Sequence, residues 1–362
     1  MISNFKPERL VREGLKRLIP YDPGNYSGLV KLDANENPYD FPPGLMQQIL
    51  DAAGPKTFNR YPDAMAVELI NELAEWHKVE ANQIMVGNGS DELILDLMLA
   101  FGAGNRVVIP VPTFSMYGIH ATIAGAEIVE VARQDNFELD VDKIISSAEG
   151  AGLVVLCSPN NPTGNSAGTD QVVSILENCC CPVVVDQAYV DFGGNDFLSL
   201  LAEHRNLVIM RTFSKAFALA GLRVGYLLTH PEIVYYLLKV KQPFNLNGFS
   251  QFAALTALRN RDLFMQQVKI INEEKIKLLR ALQEMRGVCV YPSDANFLLF
   301  ETALPSLKVY KGLLQKNILI RNFGDPRLSK YLRVSVGLPD ENKYFLHSLQ
   351  QVIDTLGEKK SC

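Results

Sequence analysis

Residues 211–226 read Arg-Thr-Phe-Ser-Lys-Ala-Phe-Ala-Leu-Ala-Gly-Leu-Arg-Val-Gly-Tyr, directly after the apolar run Leu207-Val208-Ile209-Met210. That run predicts a buried strand. Lys215 then stands just past the strand's carboxyl end, flanked by Thr212 and Ser214, with Arg223 eight residues further on. In a largely apolar setting, desolvation and a nearby positive charge both favour the neutral amine over the ammonium ion. A neutral lysine amine is a nucleophile that forms a Schiff base with an aldehyde. Ser214 and Arg223 are suited to an anion such as phosphate. A lone Ser-Lys pair after a strand is ordinarily only a surface feature, so the rest of the chain must overturn that reading.

Outward from this stretch, short apolar strands alternate with helices. Strands are expected at 84–86, 106–110, 128–131, 153–157, 183–186, 207–210 and 224–228, with helices at 90–101, 114–124 and 169–178. The alternation predicts a mostly parallel, three-layered α/β sheet. Beyond about residue 245 the pattern changes to long helices, such as 262–285, with fewer strands between them. The expected division is a large α/β domain over 31–245. Residues 1–30 and 246–362 are expected to form an N-terminal arm and a smaller α+β domain.

Ligands of open parallel sheets sit outside the carboxyl ends of the strands, so the polar residues there carry information. After 84–86 comes Gly87-Asn88-Gly89-Ser90-Asp91-Glu92, opening a helix. Its free N–H groups make an anion site, or only an ordinary helix cap. Phe114, after the 106–110 strand, can stack on a flat ring or pack in the core. Ser158-Pro159-Asn160-Asn161-Pro162-Thr163-Gly164 is a rigid turn able to aim an asparagine amide. Asp186 ends the 183–186 strand, where a buried acid is costly unless paired. A carboxylate there can keep a pyridine nitrogen protonated, and Tyr189 can reach a ring oxygen. The Schiff-base lysine, phosphate cradle, ring stacker and carboxylate together point to pyridoxal phosphate.

Composition narrows the class. A hydrophobic share of 48% over 362 residues supports a sizeable core, and a net charge of −5 without a basic tract argues against nucleic acid. No apolar run is long enough to span a membrane, and the amino terminus lacks a signal-peptide core, so a soluble, cytoplasmic protein is expected. Cys179-Cys180-Cys181 and five scattered histidines form no ligand pattern, and no metal site is expected.

These residues resemble the class I/II pyridoxal-phosphate aminotransferases of fold type I, and among them the histidinol-phosphate aminotransferases. The resemblance runs over nearly the whole chain. Its most specific pieces are Asn35-Glu36-Asn37-Pro38, Arg60-Tyr61-Pro62-Asp63, Ser158–Gly164 and Ser214–Arg223. It implies that Lys215 carries the cofactor and moves the proton, that Asp186 pairs with the pyridine nitrogen, and that Asn161 and Tyr189 contact the ring oxygen. Phe114 would stack on the ring, where many relatives have tyrosine. Ser90, Asp91 (through backbone groups), Ser214 and Arg223 would hold the phosphate. Tyr61 would reach that phosphate from the other subunit of a homodimer with shared sites. Tyr21, Asn35, Arg321 and Arg333 would line the pocket for histidinol phosphate and for 2-oxoglutarate or glutamate. Gln187 departs from the family's usual Asp-Glu-Ala-Tyr, and strand alternation should turn it away from Asp186. Amino-acid aminotransferases and a phosphothreonine decarboxylase share the cofactor residues and stay open as alternatives. A non-catalytic cofactor-binding regulator usually has a basic DNA-binding extension, and no basic winged module is expected within these residues.

Overall fold

The computed structural model describes residues 6–20, 28–54 and 59–358. Among them, twelve strands form two sheets. In chain order they are β1 (Val30–Leu32), β2 (Ile84–Gly87), β3 (Arg106–Val111), β4 (Glu127–Ala132), β5 (Leu153–Cys157) and β6 (Val183–Asp186). There follow β7 (Leu207–Thr212), β8 (Gly225–Thr229), β9 (Val288–Val290), β10 (Phe297–Thr302), β11 (Ile318–Asn322) and β12 (Tyr331–Ser335).

The seven-stranded sheet has the order β2-β8-β7-β6-β5-β3-β4. Strands β3 to β7 pair in parallel, and β8 runs antiparallel to both of its neighbours. Side chains alternate across a strand. Val183, Val185, Leu207 and Ile209 therefore enter one apolar layer, with the helices Val67–His77 and Thr169–Asn178. Val184, Val208 and Met210 enter the other, with the helices Ser90–Leu97 and Met116–Ala124. Covering on both faces is why β5, β6 and β7 are apolar at almost every position. The expected three-layer α/β architecture is what the chain adopts.

The differences from expectation are local. The helix expected over 90–101 is α-helical only to Leu97 and ends in a π-helical turn, Met98–Gly102. Two short helices, Val141–Ser147 and Pro231–Leu237, were not expected, because seven residues are too few for a helical period to repeat. The strand near residue 31 pairs in parallel with β11, Val30 opposite Ile318. It thus joins the five-stranded sheet β1-β11-β12-β10-β9, although 31 was the expected start of the larger unit.

The strand order reverses between β3 and β5: β4 lies on one side of β3, while β5, β6 and β7 run off the other. A crevice opens outside the carboxyl ends at such a switch point. The loops after β3, β5, β6 and β7 all issue there. No helix among the described residues is long and apolar enough to cross a membrane.

Candidate active site

Lys215 lies in the turn that follows β7. Ser214 N–H donates to Thr212 Oγ1 (3.1 Å), and Phe213 packs on Phe217 with ring centroids 4.9 Å apart. The Lys215 Nζ donates to the backbone oxygen of Ala34 (2.8 Å), so the segment after β1 closes over it. Burial pushes the amine down to about 8, with Arg333 and then Arg223 acting in the same direction and Glu36 against them. Three non-glycine residues near it, Asn35, Ala218 and Arg223, hold left-handed backbone with φ of 54°, 53° and 53°. Such residues cost on the order of 1–3 kcal/mol each and persist where surrounding contacts fix them.

The anion cradle forms where β2 meets the helix Ser90–Leu97. Gly89 is its N-cap, with φ 82°. A Cβ on Gly89 would stand 2.5 Å from Arg223 Nη2, and one on Gly225 would stand 2.6 Å from the Ser90 nitrogen. Two bare glycines therefore let Arg223 and β8 close on the helix's amino end, whose first N–H groups have no partner within the helix. Ser214 is buried beside this end, since Thr212 pairs with Gly225. Asp91, expected to act through its backbone, also uses its carboxylate: Oδ2 accepts from Arg223 Nη2 at 2.9 Å. Both side chains are about two-fifths exposed, so this ion pair aims Arg223 more than it stabilises the fold.

Asp186 ends β6 in full burial. Its Oδ2 accepts from Tyr117 Oη (2.7 Å) and its Oδ1 from the Ala188 N–H (3.0 Å). Burial pushes the acid up to about 6 against the pull of these two donors. Tyr189 Oη accepts from Asn35 Nδ2 (3.0 Å) and Asn161 Nδ2 (3.4 Å), and its ring meets Phe297 edge-on at 5.1 Å. Phe114, half-buried, stands edge-on to Tyr117 at 5.6 Å. The group tested against this arrangement is pyridoxal phosphate. A buried carboxylate with only neutral hydrogen-bond donors calls for a cation such as a pyridinium N–H. The lysine amine and the anion cradle match the group's other two ends.

Arg333 lies on β12 and is buried. Its Nη1 donates to Asn161 Oδ1, its Nη2 to the Asp33 backbone oxygen, and its guanidinium lies 5.1 Å from the Phe297 ring centre. Arg321 on β11 is its direct cross-strand partner. Directly opposed residues project to the same face with Cβ atoms about 5 Å apart. Tyr61 is 81% exposed and stacks on Phe244 with ring centroids 4.5 Å apart. Tyr21 lies outside the described residues. Gln187 turns away from Asp186, as alternation required. Its amide donates to the Asn195 oxygen (2.8 Å), and its Oε1 faces Arg211 Nη2 at 3.4 Å.

Sequence reasoning missed two residues here. Tyr117 carries a tyrosine hydroxyl to Asp186, but from a helix whose apolar face it shares, so only an unusual polar tip marked it. Asn160, next to the expected Asn161, is wholly buried. It ties the loops together through Thr113 Oγ1 (2.7 Å), the Pro112 oxygen (3.1 Å) and Thr163 Oγ1 (2.7 Å).

Residues 27–349 match the family described as aminotransferase class I and II. The chain belongs to the class I and II aminotransferases. It is 40% identical to the histidinol-phosphate aminotransferase of Desulfitobacterium hafniense, over 98% of this chain and 100% of that one. It is also similar to the crystal structure of the histidinol-phosphate aminotransferase from Clostridium acetobutylicum, with a TM-score of 0.84 and 26% identity over 90% of this chain and 100% of that one. The histidinol-phosphate aminotransferase of Sinorhizobium meliloti, solved in complex with pyridoxal-5'-phosphate, has the same fold. Its TM-score is 0.87 at 24% identity, over 98% of this chain and 99% of that one.

Proposed function

We propose that this aminotransferase acts on L-histidinol phosphate and 2-oxoglutarate, giving imidazole-acetol phosphate and L-glutamate in histidine biosynthesis. The observation that carries the choice of substrate is the register of Arg321 opposite Arg333. Like charges directly opposed across a sheet repel. A doubly charged phosphate relieves this repulsion with two guanidinium forks. The names of the relatives point the same way.

Pyridoxal phosphate, when bound, supplies an aldehyde for the amino group and a ring that withdraws electrons. Lys215 would hold it and, with its amine pushed down to about 8, is a base that takes and returns a proton near neutral pH. Asp186 would keep a negative charge against the ring nitrogen. Tyr189 and Asn161 would orient the ring oxygen, and Phe114 would cover the ring. Ser90, Ser214, Arg223 and the helix end at Asp91 would hold the phosphate, while Asn35 links Tyr189 to the segment that closes over Lys215. Tyr21 would complete the substrate pocket.

The reading includes a homodimer in which Tyr61 serves the partner's site, and a cytoplasmic setting. It also keeps the two-domain division, with the boundary near 31 moved so that Val30–Leu32 falls in the smaller unit with β11. The test is kcat/KM for histidinol phosphate, phenylalanine, histidine and threonine phosphate with 2-oxoglutarate as acceptor. Histidinol phosphate should lead. A lead for phenylalanine would move the assignment to the amino-acid aminotransferases, and carbon dioxide release from threonine phosphate would move it to a decarboxylase.

A further inference from the structure

We infer that Tyr117 is a positioning residue that keeps Asp186 ionised and fixes the plane of its carboxylate toward the cofactor ring. The inference rests on the pyridoxal phosphate reading of the site. Its basis is geometric. Tyr117 is wholly buried on the helix Met116–Ala124, and its hydroxyl donates to Asp186 Oδ2 at 2.7 Å. The Ala188 N–H pins the other oxygen at 3.0 Å, so the carboxylate cannot rotate without losing a donor. Phe114 stands edge-on to the Tyr117 ring, so the residue expected to stack on the cofactor and the residue holding Asp186 brace each other.

The surroundings make the hydroxyl consequential. Asp186 faces Cys157 across the β5–β6 pair. It also feels Asp91 from the helix Ser90–Leu97, Lys215 from the turn after β7, and Tyr189 from its own loop. Arg133, at the end of β4, acts on Cys157 and Tyr117 from behind. Burial and Asp91 drive the carboxylate toward its neutral form, and Tyr117 and the Ala188 N–H oppose them. The phenol is itself held well above its ordinary range, by burial first and then by Asp186, so it stays protonated and remains a donor throughout the working pH range. Without it, Asp186 loses one of the two donors that keep it an anion, and a neutral acid cannot hold a protonated ring nitrogen.

The experiment compares wild type with Tyr117→Phe. The first readout is the infrared carboxyl stretch of Asp186 in cofactor-free protein, assigned by its loss in Asp186→Asn. The second is the affinity for pyridoxal phosphate. The third is the acid limb of kcat against pH, with KM measured alongside. Loss of a hydrogen bond to a charged group should raise both the carboxyl titration and the acid limb by about one pH unit or more and weaken cofactor binding about tenfold, with donor KM little changed. Replacing Tyr117 with 3-fluorotyrosine keeps the shape and strengthens the donor, so it should move both titrations down. This replacement decides the matter if the phenylalanine variant does not fold. A wild type that binds no pyridoxal phosphate overturns the reading of the site. A wild type that binds it, with titrations unmoved in the Tyr117 variants, overturns the role of Tyr117 alone, because a purely structural tyrosine would alter stability and leave the titrations in place.

Discussion

Arg321 and Arg333 face the same way from neighbouring strands, but only Arg333 is built into the fold through Asn161 and Asp33. Arg321 is half-buried and forms no ion pair with the described carboxylates. In the proposed grip it is the fork available to a substrate phosphate. Arg321→Ala should cost histidinol phosphate on the order of 2 kcal/mol in kcat/KM, and Arg321→Lys should recover only part, since an ammonium lacks the fork geometry. Activity on histidinol phosphate equal to wild type in Arg321→Ala would contradict the two-fork grip. At this scale, the residues legible in the sequence were those at strand ends: Lys215, Asp186, Asn161 and Ser214. A polar residue after an apolar run is conspicuous. Tyr117 was not, because a tyrosine on a buried helical face looks like any other core aromatic until its hydroxyl's partner is seen.

Behind the β6–β7 pair, the Asp186 and Gln187 side chains part to opposite faces. Gln187 meets Arg211 of β7, a buried guanidinium whose charge is met instead by Asp196 at 2.5 Å, in the loop before the strand. Asp191 adds negative charge nearby. A glutamate at 187 would pair with Arg211 from the strand itself. Here the counter-charge comes from Asp196, whose side chain is half exposed. Asp196→Ala should destabilise the fold by about 1–3 kcal/mol, less than a fully buried pair would cost, because water reaches the carboxylate. Adding Gln187→Glu to that variant should restore most of the loss in urea unfolding. No recovery in the double variant would show that Arg211 is not the shared partner. Strands such as β6 and β7 could be read from sequence because burial on both faces leaves an unbroken apolar run. The sheet to which β1 belongs could not, since its pairing with β11 joins segments nearly three hundred residues apart.

For the whole molecule, the exposed stack of Tyr61 on Phe244 sets the question of assembly. In the proposed dimer, a mixed pair of one Tyr61→Phe subunit and one Lys215→Ala subunit has one site with both lesions and one with neither. It should keep about half of wild-type activity. A mixed dimer with no activity would place Tyr61 outside the partner's site. This arrangement is proposed from resemblance alone, because residue 61 is distant in sequence from the other residues proposed to hold the phosphate and no local pattern announces it.

Lys215 is proposed to carry pyridoxal phosphate and to yield it to the amino group of histidinol phosphate. Borohydride reduction followed by peptide mass analysis tests both parts. In protein as purified, the cofactor's mass should be fixed on the peptide containing Lys215. After histidinol phosphate is added without an oxo acid, that mass should disappear from the peptide, and 2-oxoglutarate should bring it back. Labelling of a different lysine, or a Lys215 label that histidinol phosphate leaves unchanged, would contradict the account.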